Sequence, residues 1–112
     1  MEHYDNEYEI SGSENEFVKV DRVYSFNFSK FNKENWSDLS SLYKLLPKYI
    51  ENEELGIPYW FGSDEEQPPY LWASVEPSGL QVHGVLSAED LEIWHRQLLS
   101  TSRQYVFPLN KF

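Results

Sequence analysis

The chain has no cysteine, no long apolar run and, over nearly half its length, no positive charge, and each absence removes a class of protein. Without a cysteine among its 112 residues there is no disulfide scaffold, no thiolate metal site and no cysteine nucleophile. No run approaches about 18 apolar residues, so no helix is expected to span a bilayer. Glycine is scarce: the five present form neither a Gly-rich phosphate loop nor a dinucleotide fingerprint, and no G-x-S-x-G elbow occurs. The first 16 residues carry six acids and no Lys or Arg, the reverse of a secretory signal or mitochondrial presequence. On that reading the protein is cytoplasmic, and the sequons Asn27-Phe28-Ser29 and Asn35-Trp36-Ser37 are chance matches.

The missing positive charge is the most informative absence. Between Lys48 and Arg96, 47 residues pass without a Lys or Arg while ten carboxylates accumulate. Of the nine basic residues, six lie in 19–48 and three near the C-terminus, and the net charge is −10. Unpaired like charges repel one another in a folded state, and a fold tolerates this more readily where something positive binds. A solvated acidic surface that keeps a small protein soluble is the plain alternative. The same charge argues against nucleic acid or anionic lipid as ligand, since both call for a basic patch.

What the chain does contain is an aromatic-rich apolar set, 17% aromatic within 40% hydrophobic, enough for one globular core. Residues 1–15 are acidic and lack an apolar period; they read as a flexible tail or a late-forming edge, ahead of a single domain over 16–112. From Glu16 to Ser29 the alternation of Tyr24, Phe26 and Phe28 with Val23, Ser25 and Asn27 predicts a strand. Trp36, Leu39, Leu42, Tyr43, Leu46 and Ile50 follow at helical spacing, with capping choices at 32–35 and Pro47 kinking or ending the last turn. Trp36 and Trp94 are expected in the core. Residues 51–69 form a long connection, the kind that is functional or disordered, and its aromatics argue that it is held by packing. Tyr70–Glu76 and Leu80–Leu86 alternate on either side of Pro77-Ser78-Gly79, which predicts a hairpin with a three-residue loop. Leu71, Ala73 and Val75 should then share a face with Leu80 and Val82, and Tyr70, Trp72, Gln81 and His83 the other. Ser87 followed by Glu89 and Asp90 marks the start of a second helix carrying Leu91, Trp94 and Leu98. The order is strand, helix, long loop, hairpin, helix: an α+β fold with two helices packed on one face of an antiparallel sheet.

Little in the sequence points to catalysis. His83 and His95 lie on different elements at no metal-ligand spacing. Glu92-x-x-His95 occurs once, where di-iron bundles need a second copy and further glutamates. Asp64-Glu65-Glu66 lacks the alternation of a calcium loop. No catalytic residue, metal site or cofactor is expected, and the protein reads as a non-enzyme.

The acids and aromatics meet in one segment. Glu51, Glu53 and Glu54 precede Tyr59-Trp60-Phe61; Asp64, Glu65 and Glu66 follow, with Tyr70 and Trp72 just beyond. Buried Trp and Tyr anchors ringed by polar groups carry most of the energy of protein interfaces, and carboxylates around them steer a basic partner. Glu51, Glu53, Glu54, Tyr59, Trp60, Asp64, Glu65, Glu66, Tyr70 and Trp72 are therefore the candidate partner-binding set, with Trp60 and Trp72 the two whose placement, surface or core, is open. In size, acidity and tyrosine-rich composition the chain resembles the small bacterial immunity proteins made against a cell's own toxins, such as the colicin nuclease inhibitors and barstar. The resemblance covers composition only; no motif maps residue by residue, the strand signal differs from the helical colicin inhibitors, and barstar's parallel α/β alternation is missing. It implies an antitoxin-like inhibitor whose carboxylates occupy the place of nucleic-acid phosphates on a basic toxin domain. A binding module that stacks a neutral ligand such as a carbohydrate on its surface aromatics is the alternative, and weak salt dependence would mark it.

Overall fold

In the computed structural model, which describes residues 1–11 and 17–112, the strongest local signal in the sequence organises the sheet. The elements in chain order are β1 (His3–Ser11), β2 (Phe17–Tyr24), α1 (Lys33–Leu45), β3 (Tyr59–Trp60), β4 (Tyr70–Glu76), β5 (Gly79–Ser87) and α2 (Ala88–Ser102). The β4–β5 hairpin turns on Pro77 and Ser78 alone, because Glu76 already pairs with Gly79; the loop is one residue shorter than the spacing predicts. Gly79 has φ 137, and a β-carbon there would collide with the Tyr24 carbonyl oxygen and lie 3.1 Å from Val23 Cγ1. Backbone angle and close packing both require glycine.

Five strands pair antiparallel in the order β1-β2-β5-β4-β3. Alternation along each strand sorts the side chains into two faces. One carries Val18 and Val20 of β2, Leu80, Val82 and Leu86 of β5, and Leu71 and Ala73 of β4, all buried in the core. Leu39 and Leu42 of α1, with Leu46 just beyond it, and Leu91, Trp94 and Leu98 of α2 complete that core, so both helices cover the same face. The α+β arrangement expected from the periodicities is the one observed.

Each helix begins where the chain supplies a cap. The Asn32 side chain accepts from the Asn35 amide at 2.8 Å, and the Asn35 side chain accepts from the Asn32 amide at 2.9 Å, a reciprocal closure of two orphan donors. The Ser87 hydroxyl accepts from the Asp90 amide at 3.0 Å. α1 stops at Leu45, with Leu46 as an extended C-cap before Pro47, because the residue ahead of a proline is driven out of the helical region. Trp36 departs from expectation: it is 43% exposed, stacked on Phe28 at 5.5 Å and edge-on to Phe31 at 4.8 Å. It joins a surface aromatic cluster with the 3₁₀ turn Phe28–Lys30, while Trp94 is fully buried.

Two further findings concern the ends of the sheet. Residues 3–11, expected as tail or edge, form the edge strand β1; the rest of the expected tail, 12–15, lies outside the described residues. The period is hidden because an extra residue, Asn6, bulges between the pairs Asp5–Arg22 and Glu7–Asp21. Tyr4 and Tyr8, evenly spaced, consequently fall on opposite faces. The long connection is tied down at its centre. The Ile50 amide donates to the Tyr59 carbonyl at 2.9 Å and the Phe61 amide to the Lys48 carbonyl at 3.0 Å, which positions β3 as the opposite edge.

Candidate functional site

The second face of the sheet is covered by neither helix. Register places one row of side chains across all five strands: Tyr59 opposite Trp72, Trp72 opposite His83, His83 opposite Asp21, and Asp21 opposite Glu7. A second row runs Tyr70, Val85, Lys19 and Glu9, and a third Ser74, Gln81, Val23 and Tyr4. The Trp72 and His83 rings lie 5.2 Å apart and tilted by 33°, and Tyr70 and His83 are 6.2 Å apart. The aromatic end of the face is thus at β3–β4 and the acidic end at β1–β2.

Glu65 connects the loop after β3 to this face. Its carboxylate accepts from the Trp72 indole N–H at 2.9 Å. Burial, helped by the Glu65 charge, pushes the Tyr59 and Tyr70 phenols above their ordinary values, so both are neutral hydrogen-bonding groups. Tyr70 is buried; Tyr59 and Trp72 are half-buried. At the other end the Gln81 side chain donates to Asp21 at 3.0 Å, and Lys19 Nζ lies 3.4 Å from Glu7. The closeness of the Glu7 and Glu9 carboxyls, with Lys19 beside Glu7, holds Glu7 below the usual carboxylate range and Glu9 above it.

The expected site divides into four groups. Tyr59, Glu65 and Trp72 come together on the open face; Tyr70 lies beside them but is only 5% exposed, which corrects its candidacy as a contact residue. Trp60 does not join them: it is fully buried, and this corrects its candidacy as a binding residue. Adjacent to Tyr59 in β3, it must point to the opposite side, where its indole N–H donates to the Tyr43 carbonyl at 3.0 Å and its ring meets Trp94 edge-on at 5.1 Å. Glu51, Glu53 and Glu54 are exposed at the 3₁₀ turn Glu53–Leu55. Glu53 borders a depression with Ser40, Tyr43 and Tyr49 on the α1 side, away from Trp72. Asp64 and Glu66 are exposed in the β3–β4 loop, where the Asp64 carboxylate accepts from the Glu66 amide at 2.9 Å and shapes the turn.

Sequence reasoning left His83 out of the candidate set and missed Asp21, Glu7 and Glu9 as companions of Trp72. The alternation did place His83 on the face of Trp72. Only the β2–β5 and β1–β2 registers could add the acids. It also missed a polar network where β1 and α2 meet. Asp5 accepts from Arg22 Nε at 2.5 Å, Arg22 Nη1 donates to the Tyr24 hydroxyl at 3.3 Å, and that hydroxyl lies 2.8 Å from His95 Nδ1. The Tyr24 hydroxyl thus bridges Arg22 and His95, accepting from the guanidinium and sharing with the imidazole a bond whose direction follows the His95 tautomer. Burial works to lower the Arg22 guanidinium and is outweighed by Asp5 and Tyr24, which raise it. Burial pushes Tyr24 up to about 12, against the opposing pull of Arg22. His95 and His3, their rings 4.8 Å apart, are both lowered by burial and by the Arg22 charge.

Among the described residues, no group of three or more His, Asp or Glu side chains is placed to hold a metal ion, and no helix is long and apolar enough to cross a membrane. A cavity of about 620 Å³ between the start of α1 and the C-terminal segment, lined by Lys30, Asn32, Asn35, Gln104 and Phe107 among others, lies apart from the acidic and aromatic face. Comparison with known proteins returns no match: no family model, no curated protein and no solved structure is similar to this chain.

Proposed function

We propose that the protein is a non-catalytic inhibitor of the immunity-protein kind, which neutralises a basic, nuclease-like toxin domain by binding it on the open face of the sheet. The observation that carries this reading is the row Tyr59, Trp72, His83, Asp21, Glu7, which sets aromatic anchors beside carboxylates on a face no helix covers. A partner rich in Lys and Arg would be drawn by the acids at long range and held by burial of Trp72 and Tyr59 at short range. Glu65 serves both parts, since its carboxylate fixes the Trp72 indole and adds negative charge at the aromatic end. The net charge of −10 supports the same direction of steering.

The test is growth rescue. Cells producing a toxin domain encoded beside this gene should survive when the chain is co-produced. Trp72→Ala combined with Glu65→Lys should abolish that rescue while the protein stays folded. Rescue by the double variant would remove the open face from the interface. The tilted Trp72–His83 pair, 5.2 Å between rings, also favours a second reading, a stacking platform for a neutral sugar. The two separate by salt: toxin association should slow steeply as ionic strength rises, whereas sugar binding should be indifferent to it.

A further inference from the structure

We propose that the free outer edge of β1 is a docking site for an extended segment of another protein in which lysine or arginine alternates with apolar residues. This does not depend on the toxin reading. β1 is the terminal strand of the sheet, and among the described residues no strand pairs with its outer side. By the geometry of a strand, half of its backbone N–H and C=O groups point away from β2 and are open to a further strand.

The two halves of β1 differ. The first half is engaged: His3 packs on His95 at 4.8 Å, Tyr4 on Phe112 at 4.8 Å, and Asp5 binds Arg22. In the second half, Glu7 to Ile10, the ion pair found among the described residues is that of Glu7 with Lys19. On the open face Glu7 and Glu9 stand opposite Asp21 and Lys19; on the helix side Tyr8 and Ile10 stand opposite Val20 and Val18. Val18 and Val20 are buried, whereas Tyr8 is 48% and Ile10 76% exposed. The apolar layer of the sheet therefore continues one strand past the cover of the helices. An edge built only to repel neighbours would carry charge on both faces. This one is charged on one face and apolar on the other.

Charge complementarity selects the occupant. Glu7 and Glu9 stand two residues apart on one face of β1, beside Asp21 and with Lys19 as their basic neighbour. A second copy of β1 laid antiparallel would bring two more glutamates to the same side. A strand with a basic residue at every second position would instead place those residues over Glu7 and Glu9 and its apolar residues over Tyr8 and Ile10. Main-chain bonds would supply affinity and the alternating side chains specificity.

The probe is a short, end-capped peptide of alternating lysine and valine, titrated into the full chain and followed by amide NMR and hydrogen exchange. The expected result is shifts and slowed exchange concentrated at Glu7–Ile10. Affinity should fall as salt rises, and should be at least about tenfold weaker when every peptide amide is N-methylated. A glutamate–valine peptide should not bind until Glu7→Lys and Glu9→Lys are introduced together. Equal binding of the N-methylated peptide would overturn the inference, since charge alone would then suffice. So would shifts confined to the Trp72 end of the sheet, no shift at β1 at millimolar peptide, or protection of β1 arising from dimerisation of the chain itself.

Discussion

Trp60 and Trp72 occupy neighbouring strands one step apart in register, Trp60 opposite Leu71 and Trp72 opposite Tyr59, yet they do different work. Trp60 is 0% exposed, its N–H on a backbone carbonyl and its ring among Tyr43, Tyr49 and Trp94. Trp72 is half-buried, its N–H on the carboxylate of an exposed glutamate. Composition treats them alike; the parity of each position along its strand separates them. The core side of the sheet binds an indole with neutral, fixed groups. The open side binds one with a charge that a partner can share.

The sharpest way to break the comparison is to delete the core member. Trp60→Ala should cost about 3–5 kcal/mol, the range for removing a fully buried aromatic, and it also leaves the Tyr43 carbonyl without its donor. Urea unfolding measures this, and a loss under about 1 kcal/mol would place Trp60 outside the core. Next in size is Gly79→Val, where the new side chain meets the Tyr24 carbonyl of the neighbouring strand β2. About 1–3 kcal/mol is expected from strain and overpacking. Gly56→Ala is the control: Gly56 also has positive φ, 77, but a β-carbon there meets nothing within 4 Å. Its cost should be backbone strain alone, about 1 kcal/mol. Equal losses at the two glycines would mean that the hairpin is not packed against β2 as described.

The sequence revealed those parts of the fold whose signals are local. Ser87, Glu89 and Asp90 announced α2, the alternation around Pro77-Ser78 announced the hairpin, and Leu71, Ala73, Leu80 and Val82 declared the core face. It hid β1, because the Asn6 bulge breaks the period and acids fill the polar positions. It misassigned Trp36, whose helical spacing matches the apolar stripe but whose place in the first turn of α1 puts it beside Phe28 rather than under the sheet. Of the candidate site, the run from Tyr59 to Trp72 was legible as a segment but not as a surface. Tyr59 and Trp60 are adjacent in sequence and on opposite faces in space, and only pairing with β4 says which faces out. Asp21 and Glu7 reach the site through register alone.

The polar network on the helix side sharpens the contrast in a third way. His95 is hydrogen-bonded to the Tyr24 hydroxyl and faces Arg22 of β2, His3 and Asp5 of β1, and Glu92 of its own helix. Its value is lowered, so the fold holds it neutral while the unfolded chain takes up a proton near the ordinary histidine value of about 6.5. Stability is therefore intact above that value and is lost as pH falls below it toward the lowered folded value. The melting temperature should drop between pH 7 and pH 5.5, and His95→Gln should flatten that slope. A slope unchanged in the variant would remove His95 from the linkage and leave His3, lowered in the same direction, as its source.

The smallest expected effect on stability belongs to the open face, and its smallness is the point. Trp72→Ala gives up a partly buried ring, a contact with His83 and a hydrogen bond to an exposed carboxylate. Exposed polar contacts contribute little, because water replaces the lost partner. The expected change is within about 1 kcal/mol, several-fold below that of Trp60→Ala. The same substitution should act strongly where a partner is bound, speeding dissociation by an amount equivalent to about 2 kcal/mol if Trp72 is an anchor. Glu65→Lys with Glu66→Lys should instead slow association and flatten its dependence on salt, since long-range charge governs encounter more than lifetime. Circular dichroism melts of Trp72→Ala beside Trp60→Ala test the first half of this argument. A Trp72 variant that unfolds as readily as the Trp60 variant would show that both faces of the sheet are core, and the open face would cease to be a site.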